Sequence, residues 1–119
     1  MLPLSADVRL VGGISPTEGR VEVLLNGHWG TVCDAGWDLV DAHVVCKQLG
    51  YHGAVEARSG AYFGEGLGEI VMSQVSCSTG TEDSLVQCGY SSPTGCTHSN
   101  DAGVRCNEGR KLLLQIHSC

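Results

Sequence analysis

HWGTVCDAGWDLVDAHVVCKQLGY, residues 28–51, contains the return arm of a hairpin followed by a helix. Its opening HWGTVC answers GRVEVLL (19–25), in which Val21, Val23 and Leu25 share one face. Asn26-Gly27 lies between the two arms, the commonest two-residue hairpin connection because both central positions accept positive φ. Further along, Ala42, Val45, Cys46 and Leu49 fall at i, i+3, i+4 and i+7, one apolar stripe that predicts a helix over 39–49. Asp38 is placed to cap it, Asp41 sits in its first turn and Lys47 in its last. Gly50 supplies a left-handed stop. Cys46 lies on the stripe, so its bridge ties the helix to the core.

The flanks are simpler. VRLV (8–11) is a short strand closed by Gly12-Gly13, and the six glycines between 50 and 68 predict loops and short irregular strands. IVMSQVSC (70–77) regains strand character, 81–88 has room for one helical turn, and DAGVRC (101–106) ends the pattern with a strand. The segment 109–119 differs: Leu112-Leu113-Leu114 leads to a lone Cys119.

At 119 residues the chain is one domain, with 17 glycines and few aromatic side chains to fill a core. Cross-links compensate for such a core. Seven cysteines stand at 33, 46, 77, 88, 96, 106 and 119, none in a C-x-x-C pair, which favours disulfides in an oxidising compartment over zinc thiolates. Spacing alone leaves their pairing open. A formal charge of -6 argues against nucleic acid and for cationic ligands or calcium. No apolar run approaches the roughly 20 residues of a membrane span. Met1–Ala6 is too short for a signal peptide, so the expectation is a piece of a longer chain.

VRLVGG (8–13), GRVEV (19–23), WGTVCD (29–34), DAHVVCKQLGY (41–51) and DAGVRC (101–106) together resemble the scavenger receptor cysteine-rich (SRCR) family, in family order. The resemblance implies an α+β fold in which a curved antiparallel sheet cradles one helix, over a domain of residues 8–107. Residues 1–7 and 108–119 are then flanking segments, appended or truncated ends. It also implies the pairs Cys33–Cys96, Cys46–Cys106 and Cys77–Cys88. Thr17 and Tyr51 stand where an eight-cysteine subgroup has a further bridge, which places the chain in the six-cysteine group. Cys119 has no place in that pattern; it belongs to a truncated tail or forms an intermolecular disulfide.

Many members of the family hold calcium through two acids after the WGTVC cysteine and one before DAGV. Here Asp34 keeps the first position, Ala35 replaces the second and Asn100 the third. The expected site is degraded, with weak calcium binding or none, because affinity follows the number of charged oxygens. Asp38 and Asp101 are read as helix cap and turn residue.

No catalytic constellation emerges. His28, His43, His52, His98 and His117 are scattered, with His98 read as a hydrogen-bonding loop residue and His43 as solvated. There is no G-x-S-x-G elbow and no H-E-x-x-H. Gly64-x-Gly66-x-Gly68 fits no phosphate-loop pattern and is read as a flexible loop. No Asn begins an N-x-S/T sequon. Asp34, Asp38, Asp41, Glu65, Glu69, Glu82, Asp83 and Asp101 are candidates for an acidic face, while Arg9, Arg20, Arg58 and Arg105 look dispersed.

The expected function is a non-catalytic, extracellular recognition module of a secreted or cell-surface protein. Its partners would be protein or particle ligands, with cationic ones favoured. One alternative is an accessory domain of a mosaic secreted enzyme, a protease or amine oxidase; another is a matrix or adhesion module.

Overall fold

A computed structural model describes residues 8–108. Expectations placed on 1–7 and 109–119, Cys119 included, lie outside the described residues. β1 (Val8–Gly12), β2 (Glu18–Leu25) and β3 (His28–Val32) follow one another, then α1 (Leu39–Gln48), β4 (Ala54–Arg58), β5 (Glu69–Ser76), β6 (Gly89–Ser91) and β7 (Gly103–Cys106). Asn26 has φ 54° and Gly27 φ 82°, and Leu25 faces His28 across them. The turn is therefore the left-handed pair that Asn-Gly favours.

The sheet runs β4-β7-β2-β3-β5-β6, with β1 added along β2. Among these pairings only β3 with β5 is parallel, a local departure from the antiparallel sheet expected. The chain passes through α1 and β4 between them, a crossover long enough to return in the same direction. β6 was not foreseen: Gly89-Tyr90-Ser91 is exposed throughout and carries no apolar alternation.

α1 begins with a reciprocal cap. Asp41 N–H donates to Asp38 Oδ1 at 3.0 Å while Asp38 N–H donates to Asp41 Oδ2 at 2.9 Å. It ends in a Schellman motif, with Gly50 N–H donating to Lys47 O, Tyr51 N–H to Cys46 O, and Gly50 at φ 100°. Ala42, Val45 and Cys46 are fully buried and Leu49 packs against the core. Val44, Gln48 and Asp41 are buried as well, because the helix is covered on two sides. The sheet takes one; the segment through Cys77 and Leu85 takes the other, where Cys77 N–H donates to Asp41 Oδ1 at 2.9 Å and Leu85 N–H to Gln48 Oε1 at 2.9 Å. His43, expected to be solvated, is half-buried against Gly53, where a Cβ would lie 2.3 Å from the imidazole.

The core is small and mostly valine: Val21, Val23, Val32, Val45 and Val104 pack with Met72 and Leu85. Three bridges support it. Cys46–Cys106 joins α1 to β7, Cys33–Cys96 joins the end of β3 to the 96–101 turn, and Cys77–Cys88 closes the segment after β5. On the chain-entropy model the two long loops, 60 and 63 residues, contribute about 4 kcal/mol each and the 11-residue loop about 3 kcal/mol. These are sizeable fractions of a small domain's net stability.

Candidate functional site

The fold brings the loops of the expected calcium site together through their backbones. Asp34 N–H donates to Asn100 O at 2.8 Å, and Cys33 pairs with Asp101 in an isolated bridge. One carboxylate oxygen of Asp34 and the amide oxygen of Asn100, however, already accept backbone N–H groups. Asp34 Oδ2 accepts Gly60 N–H at 2.7 Å, and Asn100 Oδ1 accepts Thr97 N–H at 3.2 Å as half of a second reciprocal cap. Asp38 caps α1, and Ala35 brings no oxygen. Calcium takes six to eight oxygens from converging loops; this donor set does not fit it.

Asp101 is buried and bound on both sides. Its Oδ2 accepts Gly66 N–H at 2.8 Å and receives His98 Nδ1 at 2.9 Å. His98 Nε2 lies 3.0 Å from Gly68 O. Both ring nitrogens thus face acceptors, an arrangement that only the imidazolium satisfies fully. The hydrogen bond to Gly68 O, then those to Asp101, raise the His98 pKa above its usual 6.5. Arg20 Nη1 donates to Gly64 O at 3.1 Å. The 64–68 segment, expected to be flexible, is tied at Gly64, Gly66 and Gly68. Gly66 is required where it stands, since a Cβ would fall 2.6 Å from Thr31 Cγ2.

The arginines that look dispersed in sequence share one sheet face. Glu18, Arg20 and Glu22 alternate along β2, and the register sets Arg9 opposite Glu22, Arg105 opposite Glu18 and Glu56 opposite Arg105. Arg9 Nη2 lies 2.7 Å from Glu22 Oε1, Arg20 Nε 3.0 Å from Glu22 Oε2, and Arg105 Nε 3.0 Å from Glu18 Oε1. Glu56 Oε1 lies 2.8 Å from Arg58 Nη2 and 3.2 Å from Arg105 Nη1, close enough for ion pairing. Arg9 also covers Trp29, and Arg58 covers Tyr62, each 4.1 Å from the ring centroid. The Ile14 N–H bonded to Glu18, and after it Arg105, hold that carboxyl below the usual range. No heptad or run in the sequence announces this cluster; only the strand register creates it.

The charge is therefore polarised. Four arginines and three glutamates interleave on the sheet face, while the other described residues carry one lysine against nine carboxylates. Two of the nine, Asp41 and Asp101, are buried and do not contribute to an outer acidic face. Lys47 donates to Gly80 O at 3.2 Å. One group of potential ligands, Cys77, Glu82 and Cys88, converges within 4.8 Å among the described residues. Its two sulfurs are spent on each other in a disulfide, so it is not a metal centre. No described helix is long and apolar enough to cross a membrane.

The sequence model of the scavenger receptor cysteine-rich domain matches residues 11–107. Mouse lysyl oxidase homolog 2 is 54% identical over 101 residues, 84% of this chain but 13% of that protein, so the chain spans about an eighth of the curated relative's length. The third SRCR domain of murine neurotrypsin superposes with TM-score 0.78 at 52% identity, over 83% of this chain and 94% of that one. The SRCR domain of mouse MARCO, crystallised in a dimeric form, superposes with TM-score 0.69 at 44% identity, over 89% and 100%.

Proposed function

This chain belongs to the scavenger receptor cysteine-rich family, and from that premise we propose that it is a non-catalytic recognition module, acting outside the cell, for cationic protein or particle ligands. The observation that carries the ligand class is the charge distribution. Every arginine among the described residues is held by a carboxylate on the sheet face, which leaves the acids elsewhere to set the outer field. A scaffold locked by three bridges presents its loops with little ordering cost on binding.

In this reading the domain comprises residues 8–107, is of the six-cysteine type, and is part of a secreted protein or a membrane-anchored ectodomain. Recognition proceeds without calcium in this reading, because Ala35 brings no side-chain oxygen and both Asp34 Oδ2 and Asn100 Oδ1 accept backbone N–H groups. A second reading is favoured by the 54% identity to mouse lysyl oxidase homolog 2: the same module as an accessory domain of a mosaic secreted enzyme, with catalysis in another segment.

Immobilised domain exposed to poly-L-lysine and to dextran sulfate, at two salt concentrations and with calcium or chelator, tests the proposal. Binding of poly-L-lysine that weakens with salt and ignores calcium supports it. Preference for dextran sulfate overturns the ligand class.

A further inference from the structure

A cleft of about 330 Å³ opens beside the β2–β3 turn, where the inner face of the sheet runs past the end of the packed core. Leu25 and Val71 floor it; both are half-buried and pack against the core cluster. His28, Glu69 and Tyr90 stand at the rim. Tyr90 is 45% exposed on edge strand β6, so its ring face is available to a visitor. Glu69 is exposed at the start of β5 and has no cationic partner among the described residues.

We propose that this cleft accepts a lysine or arginine side chain projecting from a protein ligand. The inference rests on the reading of the domain as a binder of cationic proteins and gives that reading a subsite. Long basic side chains combine an apolar stem with a charged head. Leu25 and Val71 match the stem, the Glu69 carboxylate takes the head, and the Tyr90 ring adds a cation–π face. Charge complementarity selects this occupant: the rim offers a carboxylate, and no arginine or lysine of the domain lines the cleft. An anionic group would meet Glu69 directly, and a purely apolar one would bury that carboxylate without a partner.

The test uses the isotopically labelled domain titrated with Nα-acetyl-lysine methylamide and, separately, with the norleucine analogue that lacks the ammonium group. Amide shifts of residues 25–28, 69–71 and 90 are expected to move with the lysine compound only. Glu69→Gln is expected to weaken that binding about fivefold and Tyr90→Leu about threefold; both positions are exposed, so the fold is retained. Shifts elsewhere, equal response to norleucine, or an unchanged response in Glu69→Gln would overturn the cleft assignment. Poly-L-lysine separates the two claims. If it binds wild type and Glu69→Gln equally, the cleft assignment fails while the cationic-ligand reading stands. If the lysine compound fills the cleft and poly-L-lysine does not bind, the reverse holds.

Discussion

Asp41 stands where the helix cap meets the 77–88 segment, accepting N–H groups from Asp38 and from Cys77 while almost fully buried. Burial pushes its carboxyl up to about 6 from 3.8, against the pull of those two donors. The folded value lies above the unfolded one, so the stability linked to Asp41 is complete below pH 3.8 and is lost as pH rises through about 6. A carbon-detected NMR titration is expected to place its midpoint near 6; a midpoint at or below 3.8 contradicts the assignment. Asp41→Asn leaves one backbone donor without an acceptor and is expected to cost about 1–3 kcal/mol in urea unfolding. His98 works in the same direction for a different reason. Its pKa is raised by Gly68 O and Asp101, so its contribution is present below pH 6.5 and declines as pH climbs past the folded value. His98→Gln is expected to flatten the dependence of Tm on pH above 6.5, and the Gly66 and Gly68 amide shifts of the wild type are expected to titrate with His98.

Elements in this fold are held by turns and approaches that only glycine permits at two contrasting positions. At Gly27, φ is 82° and a Cβ would meet nothing within 4 Å, so Gly27→Ala pays backbone strain alone, about 1 kcal/mol. Gly103 is the opposite case: a Cβ would lie 2.7 Å from Phe63 Cδ2 and 2.9 Å from Gly19 O, with ordinary backbone angles. Gly103→Ala forces either the 59–68 loop or the β2–β7 pair to move, and an overpacking cost of about 1–3 kcal/mol is expected. Comparing the two variants by denaturant midpoint separates strain from crowding; equal losses would argue against the close approach at β7. The hairpin and α1 were legible because local signals agreed there: Asn26-Gly27, the apolar stripe, Asp38 and Gly50 each point to one structure. β6 and the burial of Val44 and Gln48 were not, since each depends on a partner far away in the chain.

For the whole molecule, three bridges and a valine core carry a domain that has few large side chains. Its response to calcium is a property of this scale, because the candidate ligands come from loops joined through Cys33–Cys96. Calorimetric titration is expected to find no binding tighter than ~10⁻⁴ M, and millimolar calcium is expected to leave Tm unchanged. A clear rise in Tm would mean that Asp34 and Asn100 release their backbone partners to bind the ion.

The residue string by itself determined the family, the β2–β3 hairpin, the one α-helix and the positions of the cysteines, because these are local patterns read within a few residues. Pairing between distant strands decided the rest. Register gathered Arg9, Arg20, Arg58 and Arg105 onto one sheet face beside Glu18, Glu22 and Glu56, and loop closure turned Asp34 and Asn100 from prospective cation ligands into acceptors for backbone N–H groups. The physical reason is that charge and hydrogen-bond partnership depend on distance in space, which chain separation does not encode.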